Sequence, residues 1–133
     1  MLIQFTPSGG SAATLGDDAN KFAVVIEQFV GQSVQQREPL YGGANPVDFV
    51  RGNVGGELVF RSSKSYADYA TTFTQFKTEY GRLNQKGSLV ITQNAVTVTF
   101  ANAVCKGVQR IFDAQNTGVH MGIRYTFAIT TVA

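Results

Sequence analysis

The sequence predicts a mainly β protein, an antiparallel β-sandwich or barrel of about seven to eight strands with one flanking α-helix at about 65–80. Three observations predict it. The stretch from Val119 to Thr131 alternates strictly, with Val119, Met121, Ile123, Tyr125, Phe127 and Ile129 on one face and His120, Gly122, Arg124, Thr126, Ala128 and Thr130 on the other. Several further short segments rich in β-branched and aromatic residues are separated by turn signals. Only one segment repeats its apolar residues at steps of three and four. With 133 residues the chain suits a single domain, 1–133, large enough to bury a core without covalent staples.

Taken in order, strands are expected at Leu2–Thr6, Lys21–Val30, Ser33–Arg37 and Glu57–Arg61. Ser88–Thr92 and Val96–Phe100 flank the turn Gln93-Asn94-Ala95, which reads as a hairpin. Val104–Phe112 and the alternating last strand form a second hairpin around Asn116-Thr117-Gly118. Between these sets, Tyr66, Tyr69, Ala70, Phe73, Phe76 and Tyr80 form a helical stripe, expected to face the core. Ser65 and Asp68 suggest a capping box at its start, and Gly81 a left-handed cap at its end. Pro7–Asp18 has no strong period. A long loop is expected at about 39–56, where Gly42-Gly43, Pro46 and Gly55-Gly56 interrupt the pattern. Leu40, Tyr41, Val47, Phe49 and Val50 give that segment more apolar mass than a solvated loop carries, which suggests burial against a neighbour.

Composition narrows the function classes. Charged residues make up only 15% of the chain, against the usual quarter, and the net charge of +2 is scattered without a Lys or Arg run. Nucleic-acid binders concentrate their cations on one face or arm, so sequence-specific DNA or RNA binding is disfavoured. Cys105 is the one cysteine, which excludes an intrachain disulfide and a cysteine zinc site. Its place in an apolar strand suggests a buried, inert thiol. No basic leader or membrane-spanning apolar run is visible, and the expectation is a chain folded in a reducing cytoplasm.

The search for chemistry finds no convergent set. His120 is the sole histidine and lies on the polar face of the last strand. A hydrolase would need it beside an acid and a hydroxyl. Asp17-Asp18 lacks the further oxygen ligands of a calcium loop. Gly52-Asn53-Val54-Gly55-Gly56 satisfies neither the Rossmann nor the P-loop spacing. The reading is therefore a non-enzyme with no catalytic, metal or cofactor site.

The order Arg51-Gly52-Asn53, strand Glu57–Arg61, helix Tyr66–Tyr80, Gly87-Ser88-Leu89-Val90-Ile91, hairpin Val96–Phe100 and the alternating Gly118–Ile129 resembles small structural proteins of tailed bacteriophages and prophages, the tail-tube and distal-tail family. The resemblance covers roughly residues 50 to 131. It implies a virion structural protein that self-assembles into hexameric rings, stacked into a tube that conducts DNA, with other tail proteins as further partners. It also implies assembly in the host cytoplasm before incorporation into the virion tail. Its alternatives are a distal-tail or baseplate adaptor ring, or a carbohydrate-binding sandwich using Tyr41 and Phe49. It brings no catalytic residue with it. A self-assembly surface is expected from Tyr41, Pro46, Phe49 and Arg51 in the loop and from Ile123, Arg124 and Tyr125 on the last strand. Tube lumens of that family are typically acidic, whereas this chain is slightly basic.

Overall fold

The computed structural model describes residues 1–38, 47–111 and 119–129, with side chains described for all of these except 31–38 and 47–55. The described strands are β1 (Leu2–Pro7), β2 (Ala13–Asp17), β3 (Ala23–Glu38), β4 (Val47–Ser65), β5 (Lys86–Gln93), β6 (Val96–Ile111) and β7 (His120–Ile129), with the helix α1 (Tyr69–Tyr80) between β4 and β5. They form one antiparallel sheet in the order β2-β1-β5-β6-β7-β4-β3. The mainly β class with one α-helix is as expected, and the described residues hold seven strands.

One sheet can bury a core by itself only if it curls. The side chains show that it does. Phe5 on β1 and Phe127 on β7 are three strands apart in the sheet, yet their rings lie 5.1 Å apart. Phe60 stacks on both Tyr125 and Phe127, at 5.1 and 5.8 Å. The two sheet ends also approach each other. Asp17 and Phe22 form a bridge, and a Cβ added to Gly16 would collide with the Val24 side chain. The result is a partly closed barrel whose core comes from alternate residues of every strand: Ile3, Phe5, Leu15, Val24, Leu58, Phe60, Leu89, Ile91, Phe100 and the odd residues of β7 from Met121 to Ile129. Backbones also pack tightly between β1 and β5, where a Cβ at Gly87 would overlap the Thr6 carbonyl oxygen.

Bulges explain why the strands are longer than the sequence pattern suggests. In β6 the buried residues run Phe100, Ala103, Cys105, a phase change that accompanies register shifts opposite Gly87/Leu89 and at Cys105/Gly107. The segments expected as separate strands, Val96–Phe100 and Val104–Phe112, are thus, as far as the described Ile111, one strand that pairs with β5 in its first part and β7 in its second. Likewise Lys21–Val30 and Ser33–Arg37 fuse into β3 through shifts at Ile26/Gln28, Gln32/Ser33 and Val34/Gln35. The loop expected at 39–56 is strand from Val47 onward, because Val47–Gly56 pairs with Gly31–Glu38. Residues 39–46 lie outside the described residues, as does the turn Asn116-Thr117-Gly118. The β5–β6 turn is as expected: Asn94 and Ala95 both take positive φ, 51° and 65°, and Gln93 pairs with Val96. That is the two-residue turn whose twist matches a hairpin.

The helix begins three residues later than a Ser65 cap requires. Asp68 is the N-cap and accepts the Thr71 N–H at 2.7 Å, which holds its carboxyl below the usual carboxylate range. Ser65 remains in β4. At the other end Gly81 is right-handed (φ −66°), and the left-handed residue is Asn84 (φ 67°). The chain leaving the helix is clamped to β6 by Asn84 N–H to Cys105 O and Cys105 N–H to Gln85 O, at 2.8 and 3.0 Å.

Cys105 is a free, fully buried thiol. Burial pushes its pKa up from 9.0 to about 11. An unfolded chain would lose this proton near pH 9, while the folded chain holds it to about 11. Its contribution is therefore complete below pH 9 and disappears as pH rises through 11. Burial likewise raises Tyr125 well above 10.0. The denaturant midpoint is expected to hold level up to about pH 9 and fall beyond it. Cys105→Ala should flatten the fall between pH 9 and 11 and leave the part above 10 that belongs to Tyr125. An identical alkaline profile in the two proteins would refute this assignment.

Candidate assembly surface

The sheet order sets which backbone is left open. The last strand, β7, expected to supply Ile123, Arg124 and Tyr125 to the assembly surface, is central, with β6 on one side and β4 on the other. The long open edge is β3. It runs for 16 residues and, among the described residues, pairs along its length on one side only, with β4. Its start touches β2 through the Asp17–Phe22 bridge. From there on, among the described residues, its outer N–H and C=O groups face no other strand.

β3 and β4 also extend past the rest of the sheet. Pairing of β4 with β7 stops at Gly56–Ile129, whereas pairing of β4 with β3 continues to Val47–Glu38. The segment Gly31–Glu38 with Val47–Gly55 is therefore a two-stranded ribbon with no third strand among the described residues. Two strands alone are marginal in water. Exposed apolar side chains lie on β3 ahead of the ribbon: Val25 is on its outer face near the strand's start, and Phe29 is half exposed, its ring 5.4 Å from Phe100.

A second surface is the helix. The stripe expected to face the core mostly does not. Tyr69, Phe73 and Tyr80 are 69%, 67% and 54% exposed, and Phe76 is half-buried with its ring 6.0 Å from Tyr80. At 100° per residue these four share one stripe, roughly a quarter of the circumference away from the buried Thr72 and Glu79. The inner contact combines Phe76, which packs against the edge of the core, with a polar network. Glu79 accepts the Tyr125 O–H at 2.9 Å and a two-pronged pair from Arg82, at 2.5 and 3.2 Å. This network satisfies the carboxylate beneath the helix and leaves the aromatic stripe on the outside.

The sequence-predicted residues fall into three groups. Tyr41 and Pro46 lie outside the described residues, and Phe49 and Arg51 are on the ribbon part of β4, where only the backbone is described. Ile123 and Tyr125 are buried in the core and present no side-chain surface to a neighbour. Arg124 is on the outer face of β7, where its guanidinium meets both carboxylate oxygens of Glu27, at 2.9 and 3.3 Å, and Gln109 at 3.3 Å. Arg61, directly opposite it on β4, also reaches Glu27, at 3.6 Å. Glu27 thus relieves two facing arginines and ties β3 to β4 and β7. The structure does not bring the seven predicted residues together as one patch. Sequence reasoning placed strands at Lys21–Val30 and Ser33–Arg37 but missed that they form the open edge β3, and it missed the outward direction of Tyr69, Phe73 and Tyr80. The helical period had identified the latter as a set but not the direction they face.

The requirement set for a hydrolase is half met. Ser65 Oγ lies 2.8 Å from His120 Nδ1, at the rim of a cleft also lined by Asn20, Lys21, Ser63 and Lys64. Its lining holds no carboxylate to orient the imidazole.

No family model matches the sequence, and no curated protein matches it. Among solved structures, a chain from the six-fold symmetrised cryo-EM structure of the anti-feeding prophage baseplate aligns over 99% of this chain and 89% of its own length, with a TM-score of 0.50 and 12% identity. Hcp1 from Flavobacterium johnsoniae aligns over 100% of this chain and 95% of its own, with a TM-score of 0.37 and 13% identity. At 12% identity the first comparison shows a shared fold.

Proposed function

We propose that this chain is a structural subunit of a phage-tail-like particle and works by assembling with copies of itself into a ring. The observation that carries the reading is the open edge of β3 together with the ribbon that continues it. A soluble monomer blunts such an edge with proline, charge or a covering element. Among the described residues no element covers β3 beyond its first residues, and β3 contains no proline; of its three charged residues, Glu27 is engaged by Arg124, and Arg37 and Glu38 lie at its far end. Pairing that edge with a neighbour of the same kind, by a head-to-tail contact that closes, completes the barrel across subunits. The shared fold with a baseplate chain is consistent with this role.

Within that reading, the favoured form is a tail tube of stacked hexameric rings with a lumen wide enough for DNA, the ribbon serving contacts between rings. A distal-tail or baseplate adaptor ring is the second form, supported by the setting of the fold's counterpart. Electron microscopy of the purified protein separates them. Stacked tubes are expected for the first and single rings for the second, and particles no larger than one chain would reject both.

A further inference from the structure

We infer, resting on the assembly reading above, that the open edge of β3 docks on the second half of β6 in the next copy, beside the aromatic stripe of α1. One subunit's edge is then received by a different surface of its neighbour.

β6 changes partners halfway. It pairs with β5 only as far as Val104, and with β7 from Ala103 to Ile111. Cys105 is clamped on the β5 side by Asn84 and Gln85. Past that clamp the stretch Lys106–Gln109 has β7 on one side and, among the described residues, no strand on the other. Backbone groups in an antiparallel ladder point alternately to the two sides, so part of this stretch is turned away from β7.

Strand direction makes this stretch a match for β3. In the run β6-β7-β4-β3 every neighbouring pair is antiparallel. The two ends of the run, β6 and β3, therefore point in opposite directions. Rotating a copy about an axis along the strands, without turning it over, sets its β3 antiparallel to β6 of the next copy. The same step repeats until the ring closes. A two-fold contact between two β3 edges would instead stop at a dimer.

The exposed apolar side chains agree. The helix lies beside this half of β6: the Arg110 guanidinium is 5.8 Å from the centre of the Phe76 ring, and the chain leaving the helix is bonded to Cys105. Tyr69, Phe73 and Tyr80 thus adjoin the receiving strand. On the arriving strand, Phe29 turns to the same inner side as the helix, since its ring reaches the core residue Phe100. Of the six large apolar side chains exposed among the described residues, these are four, and one contact covers them.

Two variants that each keep one surface test the pairing. Val25→Lys with Phe29→Lys puts charge on the arriving strand and leaves β6 and α1 intact. Tyr69→Asp with Phe73→Asp disables the receiving surface and leaves β3 intact. All four side chains are more than half exposed, and a cooperative melt of each variant confirms its fold; Phe29→Lys alone replaces the first pair if that pair does not fold. The β3 variant, isotope-labelled, is titrated with the unlabelled helix variant at the concentration where wild type has assembled. Each alone is expected at the mass of a single chain. The mixture should saturate at twice that mass and stop there, with amide shifts in the labelled chain at Lys106–Gln109 and along α1. A mixture that stays at single-chain mass up to millimolar concentration, while wild type assembles, overturns the pairing and leaves the assembly reading standing. A helix variant that dimerises by itself also overturns it, because β3 then meets β3. Wild type at single-chain mass removes both.

Discussion

Ile123→Asp is expected to unfold the protein outright, well before any question of assembly arises. Ile123 is buried in the middle of β7, with paired neighbours on both sides, Ser62 on β4 and Arg110 on β6. Removing a buried Ile side chain costs about 2–5 kcal/mol through lost burial and the cavity left behind. A carboxylate in that place adds a desolvation cost of several kcal/mol, since the core around it is apolar. The sum approaches the whole stability of a typical domain, about 5–15 kcal/mol. Circular dichroism and a thermal melt check this. A cooperative melt within a few degrees of wild type would show that Ile123 is not the core residue described.

Phe73→Asp, and more so the double variant with Tyr69→Asp, is expected to have the opposite signature: intact fold, weakened assembly. Both rings are two-thirds exposed and Phe, Tyr and Asp have similar helix propensities, so the folded chain loses little when they go. An apolar stripe of this kind on a free subunit marks a contact surface. If the stripe is covered in the assembly, each aromatic anchor is worth about 2 kcal/mol there, or roughly 30-fold in dissociation constant. Size-exclusion chromatography against concentration is the readout, with circular dichroism to confirm the fold. Oligomers that persist unchanged in the double variant would remove α1 from the interface.

The contrast between these two sites marks what the sequence could and could not convey. The alternation in β7 identified the inward residues of the last strand correctly, because a period of two in one strand is a local property. Which strands flank it is not local. The last strand in sequence lies in the centre of the sheet, and β3, which reads in sequence as two broken pieces around Gly31, forms the long edge. Bulges absorbed the phase breaks that had suggested separate strands and a loop. The helix was legible at Tyr66–Tyr80 as a stripe. Its facing was not, since beside Phe76 the inner contact is made by the buried Thr72 and by Glu79, whose partners Tyr125 and Arg82 lie 46 residues away and just past the helix end. Ile123 and Tyr125 were singled out as contact residues for the alternation that in fact places them in the core.

The central claim is that the open sheet edge is completed by a second copy. Static light scattering across a wide range of protein concentration tests it most directly, at neutral pH where Cys105 and Tyr125 are both protonated. The account predicts a weight-average mass that climbs to several times that of a single chain and levels at a closed ring or continues to rise as rings stack. A constant single-chain mass up to millimolar concentration would contradict it.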